Sequence, residues 1–171
     1  LTLTERDTCP QSCKHWDDCY GNNMPFAHRF KTEGLMEAIP SQLGAIAKKY
    51  PNGFVVRLHV LGDFYSPEYV KLWQDMLISY PMMRIYGYSA RTEGPIHKEL
   101  WLLNIRFNER VKIRFSEAKS YSALEPFTIY AGDETGEFES VTCPEQLEKT
   151  ASCATCGLCW GIKKSIRFLT H

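Results

Sequence analysis

The run Phe54-Val55-Val56-Arg57-Leu58-His59-Val60-Leu61 is dense in branched and apolar residues and halts at Gly62-Asp63, as a mostly buried strand should. Ser66 then offers an N-cap and Pro67 suits the first helical position. Tyr69, Trp73, Met76 and Tyr80 line one helical face up to Pro81. The alternation repeats with a strand at Met83 to Ala90, a helix opened by Gly94-Pro95 with Ile96, Leu100, Leu103 and Phe107 on one face, and a strand at Arg110 to Glu117. Upstream, Leu35, Ile39, Leu43, Ile46 and Tyr50 predict a helix over Thr32 to Tyr50 that Pro40 kinks or divides. Two more runs, Phe127 to Tyr130 and Ser165 to Leu169, have strand character. Strands alternating with helices imply parallel pairing through crossovers. The expected fold class is therefore α/β, as a partial (βα) barrel or an open parallel sheet. The 171 residues suit one domain. Residues 1–135 form its α/β core and 136–171 a cysteine-rich segment with the final strand.

In such folds the working residues gather beyond the carboxyl ends of the strands. Here those ends carry Gly62-Asp63, Ser89 with Arg91-Thr92-Glu93, and Ser116-Glu117. Asp63 has two readings of similar weight, a turn residue closing its strand or a cofactor contact. His59 lies within the clearest strand and is expected to be a core histidine rather than a metal ligand. Tyr86 and Tyr88 are expected to fill the interior.

Six of the seven cysteines fall into two compact groups. Cys9, Cys13 and Cys19 form a C-x-x-x-C-x-x-x-x-x-C array within eleven residues. Three thiolates this close can grip three corners of one cubane and leave one iron open to a substrate, cofactor or water. Zinc completed by His15 or His28, and reduced structural thiols, are the rival readings. Trp16 is placed to shield a cluster, and Asp17 and Asp18 to be solvated. The second group is Cys153-Ala-Thr-Cys156-Gly-Leu-Cys159, with Cys143 ten residues upstream as candidate fourth ligand. A C-x-x-C-x-x-C run begins the bacterial ferredoxin ligand motif, while four thiolates equally satisfy a closed zinc site. The two groups could also join into one site.

Twenty basic and twenty acidic residues cancel, so no charge excess is available for a phosphate backbone or an anionic membrane. Nucleic acid is a disfavoured partner. No apolar stretch approaches a membrane span, and the opening residues lack the pattern of a signal peptide. The expectation is a cytoplasmic protein, in which an odd number of clustered cysteines points to metal or redox chemistry rather than disulfides.

A cysteine trio, a helix, then a strand ending in Gly-Asp is an order that resembles the radical S-adenosylmethionine (SAM) superfamily. In that family a three-cysteine loop follows the first strand of a partial α/β barrel, and the second strand ends in a Gly-Gly-Glu-like motif. Arg57 to Phe64 stands in that place, with Gly62 and Asp63 at its end. The resemblance implies a 4Fe-4S cluster on Cys9, Cys13 and Cys19 that binds SAM and cleaves it reductively to a 5'-deoxyadenosyl radical. It also implies an electron donor as partner, and a cofactor or substrate faced by Ser89, Ser116 and Glu117. The family's usual spacing is C-x-x-x-C-x-x-C, shorter than this loop. The chain also resembles the gene product 88 family of small phage and plasmid proteins, through Cys9-Pro10 to Cys13 and through Cys153 to Trp160.

Overall fold

The computed structural model describes the chain except residues 14, 18, 117–127, 132–139, 162–164 and 170–171, and describes 128–131 by their backbone alone. Glu117, Asp18 and Phe127, singled out above, lie outside the described residues.

Three strand-helix units build the centre. Strand β1 spans Phe54–Leu58, β2 Met83–Ser89 and β3 Val111–Ser116. Helix α1 is a single turn, Glu5–Thr8, and α2 spans Leu35–Lys49. Helix α3, Pro67–Ser79, starts as its sequence dictates: the Ser66 hydroxyl accepts from the Tyr69 amide at 3.1 Å, and Pro67, lacking an N–H, sits where none is needed. Helix α4 spans Gly94–Arg106 with Pro95 in its first turn. Three short strands follow: β4 at Thr128–Ala131, β5 at Ser140–Thr142 and β6 at Ser165–Phe168. Between β5 and β6 lie two four-residue helices, α5 at Cys153–Cys156 and α6 at Leu158–Gly161.

All six strands form one parallel sheet in the order β1-β2-β3-β4-β6-β5. It is open, with β1 and β5 at its edges, and among the described strands no barrel closes. Strands β5 and β6, from the cysteine-rich segment, belong to the same sheet as the core.

The register separates two faces. Leu58, Gly87 and Ile113 lie in one row, and Ile85 and Val111 in another; with Phe115 they face the helices. There they share a core with Tyr69, Val70, Trp73 and Leu77 of α3, Ile96, Leu100 and Leu103 of α4, and Leu35, Ile39 and Leu43 of α2. Gly87 is required in this row, because a Cβ there would lie 1.2 Å from the Leu58 carbonyl oxygen. The opposite face carries Arg57, Tyr86 and Lys112 in one row and Tyr88 and Arg114 in the next.

Two boundaries differ from the sequence expectation. Strand β1 stops at Leu58 rather than Leu61 because residues 60 and 61 turn to the opening segment: the Val60 amide donates to the Leu1 carbonyl at 2.8 Å, and the Leu3 amide to the Leu61 carbonyl at 2.9 Å. Pro40 does not divide α2. It forfeits one hydrogen bond in the second turn, while buried Leu35, Ile39 and Leu43 hold both sides of it to the core.

Candidate functional site

The N-terminal cysteine loop is tied to the carboxyl ends of β1 and β2. Thr8, the last residue of α1, is buried; its hydroxyl donates to the Thr4 carbonyl at 2.8 Å and accepts from the Asp63 amide at 3.1 Å. Arg91 clamps the same point, donating to the Thr8 carbonyl at 2.8 Å and the Phe64 carbonyl at 2.9 Å. Cys9 follows directly, its amide held by the Glu5 carbonyl at 2.9 Å. Gly62 is the floor on which this turn rests. Its φ is +83°, and a Cβ would come within 2.6 Å of Leu3 Cβ and 2.7 Å of Thr8 Oγ1.

Asp63 is 2% exposed and its carboxylate is fully engaged. One oxygen accepts from the Phe64 amide at 2.7 Å and the other from the Ala90 amide at 2.8 Å, and the Ser89 hydroxyl also bonds it. Burial pushes its pKa up to about 6, against the opposing pull of Ser89, the two amides and Arg91. Ser89 in turn accepts from the Arg91 amide at 3.1 Å. Asp63 thus latches the end of β1 to the end of β2. Ser116 ends β3 at the same edge, one strand further along.

Beyond Cys9 the loop is organised by Arg29, which no motif or spacing singles out. Its guanidinium forks onto Glu5 at 2.8 and 2.9 Å and also donates to the carbonyls of Gly21, Met24 and Ala27. The Arg29 bond holds the Glu5 carboxyl below its ordinary range. Trp16 packs against Arg6, whose guanidinium lies 4.7 Å from the ring centre. Cys19 Sγ accepts from the Gly21 amide at 3.4 Å. The Cys9 thiol is pushed up to about 12, by burial first and then by the negative charges of Asp63, Cys13, Cys19 and Glu5. Cys13, Cys19 and Asp63 are therefore electrostatic neighbours of Cys9.

The C-terminal group lies on the other face of the sheet. Cys143 follows β5 and is buried, its amide bonded to the Arg167 carbonyl at 2.8 Å. Ser152 caps α5 through the Thr155 amide, and Gly157, with φ +67°, turns the chain into α6. Helix α6 rests on β2 and β3. The Trp160 ring lies 4.8 Å from that of Tyr86, the Tyr88 hydroxyl donates to Cys159 Sγ at 2.7 Å, and Arg114 Nε donates to the Cys159 carbonyl at 3.1 Å. Burial raises both the Cys159 and Cys153 thiols. Tyr88 and Arg114 oppose this at Cys159 and Arg57 at Cys153, whereas Cys143 adds a negative charge to each. Cys143 is thus an electrostatic neighbour of Cys153 and Cys159.

None of the seven cysteines forms a disulfide. The charges acting on Cys9 come from its own group and nearby carboxylates, and the cysteine charges acting on Cys153 and Cys159 come from theirs. Among the described residues no three His, Cys, Asp or Glu side chains already stand close enough to hold a metal ion. The donor sets, three thiols and four, suit a soft metal or an iron-sulfur cluster chemically. Cys159 already receives the hydrogen bond a ligand sulfur would use. Closing either set requires its thiols to draw together as metal binds.

His59 is buried, 2.9 Å from the Tyr69 hydroxyl, with its pKa lowered to about 3 by burial. Sequence reasoning passed over the buried Arg114 and the half-buried Arg57. The signal was present in Val111-Lys112-Ile113-Arg114-Phe115, whose alternation marks a polar second face. Among the described residues no helix is long and apolar enough to cross a membrane.

A family model described as gene product 88 matches residues 3–162. The chain is 29% identical over 138 residues to a gene 88 protein of Mycobacterium phage D29, covering 72% of the chain and 57% of the relative. It is 27% identical over 137 residues to a gene 88 protein of Mycobacterium phage L5, covering 72% and 56%. The matched region thus spans little more than half the length of these phage relatives. No solved structure matches the chain. The resemblance to the radical SAM superfamily has no counterpart in these matches.

Proposed function

The chain belongs to the gene product 88 family, and we propose that it is an iron-sulfur protein with a 4Fe-4S cluster on Cys9, Cys13 and Cys19 and a second metal site on Cys143, Cys153, Cys156 and Cys159. The observation that carries this reading is the attachment of the first cysteine loop. Thr8 and Cys9 are pinned by Asp63 and Arg91 to the carboxyl ends of β1 and β2, the edge at which open parallel sheets bind their ligands. A three-thiolate cluster, when bound, supplies one-electron chemistry and an iron with a free coordination position.

The chain's own residues support such a site in three ways. Arg29 and Glu5 hold the loop compact, Gly62 lets α1 approach the strand end, and the Arg6 guanidinium stacks over the Trp16 ring. SAM is the proposed small-molecule ligand of the open position, with an external reductant as electron donor. Asp63 in this reading fixes the loop; contacting the amino group of SAM would require it to give up a backbone N–H.

Anaerobic reconstitution of the full chain with iron and sulfide tests the proposal. The expected result is a brown protein with acid-labile sulfide, an electron paramagnetic resonance signal that changes on adding SAM, and 5'-deoxyadenosine formed under reductant. A cluster whose signal ignores SAM leaves an electron carrier or sensor. Colourless protein with stoichiometric zinc overturns the iron-sulfur assignment in favour of a zinc-stapled binding module.

A further inference from the structure

Helices α3 and α4 lie side by side over one face of the sheet, and because both are crossovers between parallel strands they point the same way. Their inner faces are taken up by the core: Tyr69, Val70, Trp73 and Leu77 of α3 and Ile96, Leu100 and Leu103 of α4 are buried. Their outer faces meet in an open groove of about 630 Å³, whose walls include Lys71 and Asp75 of α3 and Glu99, Leu102, Ile105 and Arg106 of α4. Leu102 is 42% exposed and Ile105 51%. Ile78, one turn beyond Asp75 on the same stripe of α3, is 60% exposed. Aliphatic side chains gathered on two adjacent outer stripes mark an interaction surface.

The charges around them identify the partner. Read from its start, α3 carries Lys71 in its second turn and Asp75 in its third, while α4 carries Glu99 in its second turn and Arg106 in its last. The order is cation then anion on one helix, anion then cation on the other. Among the described residues these four close no ion pair with one another. Exchanging the two helices therefore reverses every sign. A two-fold axis along the helix direction performs that exchange, laying α3 of one copy over α4 of a second. Lys71 then meets the second copy's Glu99 at nearly the same height, and Asp75 stands about 6 Å along the axis from the second copy's Arg106, within reach of an arginine side chain. The antiparallel alternative, α3 against α3, sets the two Asp75 carboxylates against each other. Twenty basic and twenty acidic residues cancel, so no net charge opposes self-association. We propose that this groove is the interface of a symmetric dimer of the chain, with Leu102 and Ile105 at its centre and Lys71 to Glu99 and Asp75 to Arg106 paired between copies at its rim. The surface lies across the sheet from Tyr88 and Cys159 and leaves the C-terminal cysteine group uncovered. It is independent of what the cysteines bind.

Sedimentation equilibrium of the full chain tests the proposal, under reductant so that cysteine cross-links do not contribute. A dimer with a dissociation constant in the micromolar range is expected, weakening as salt rises. Lys71→Glu brings like charges together at two symmetry-related places and is expected to weaken the dimer about tenfold, as is Glu99→Lys. The double reversal restores both pairs and recovers the wild-type constant. Ile105→Gln, at a position half exposed in the single chain, weakens the dimer about tenfold while circular dichroism stays unchanged. A dimer indifferent to Ile105→Gln, or a double reversal as weak as the single ones, overturns the proposal. A chain that stays monomeric throughout the micromolar range also overturns it, and gives the groove to another protein or to a segment of a longer chain.

Discussion

At Asp63 and His59 two buried groups titrate in opposite senses: one is an acid at a strand end, the other a base against Tyr69. Asp63 moves from 3.8 to about 6 on folding, so the folded chain holds the extra proton and stability falls as pH rises from about 4 to about 6. His59 moves from 6.5 down to about 3, so the unfolded chain holds the extra proton and stability falls as pH drops below 6.5. Between pH 4 and 6 the two slopes oppose. Asp63→Asn is therefore expected to unmask the histidine, with stability falling by roughly 1.4 kcal/mol per pH unit on acidification through that range. Urea titrations at three pH values measure it, and a flat profile in the variant contradicts it. Gly87→Ala is the sharper substitution. Its methyl would meet the Leu58 carbonyl at 1.2 Å, and a loss of about 3 kcal/mol or more in urea midpoint analysis is expected. The sequence marked Asp63 through its place after a strand. It could not reveal that Ala90 would occupy the second oxygen, because that partner depends on how β1 and β2 align.

The regular elements were legible where period and punctuation agreed. Helix α3 begins at Pro67 and α4 at Gly94, as Ser66-Pro67 and Gly94-Pro95 announce. The three central strands appear within one or two residues of expectation, except where β1 yields residues 60 and 61 to the opening segment. Strand β5, α1, α5 and α6, each of three or four residues, give no measurable period. The cysteine loop is the element least readable in advance, since its order comes from the side chain of Arg29 rather than from backbone regularity. Arg29→Ala is expected to speed alkylation of Cys19 by iodoacetamide several-fold in metal-free protein. Arg29→Lys should recover little of the protection, because an ammonium cannot fork onto Glu5 while reaching three carbonyls. Equal alkylation rates in wild type and Arg29→Ala would show that the loop is held by other means.

Over the whole molecule, the two cysteine groups were plain in the chain, but their placement was not. Spacing grouped Cys9 with Cys13 and Cys19. That they meet the strand ends, while Cys153 to Cys159 cover the opposite face of the sheet, follows from Thr8 bonding to Asp63 and Tyr88 to Cys159, contacts 55 and 71 residues apart. Metal binding to thiols that must first draw together couples to folding. Stripping metal with a chelator is thus expected to lower the thermal midpoint. At a thousandfold excess of free metal over Kd the linkage is about 4 kcal/mol, on the order of 10 °C for a chain of this size. Identical melting of loaded and stripped protein would separate the cysteines from stability. The strand order carries one more consequence, for synthesis. Strand β6 lies between β4 and β5, so β5 leaves the ribosome with no neighbour to pair with and waits until Ser165–Phe168 has emerged. Until then nothing seats the intervening segment of Cys153, Cys156 and Cys159 against Tyr88. On the two-site proposal, metal delivered to a nascent chain would meet the thiols of the first loop before those of the second, and the two sites would fill in the order in which their cysteines are translated.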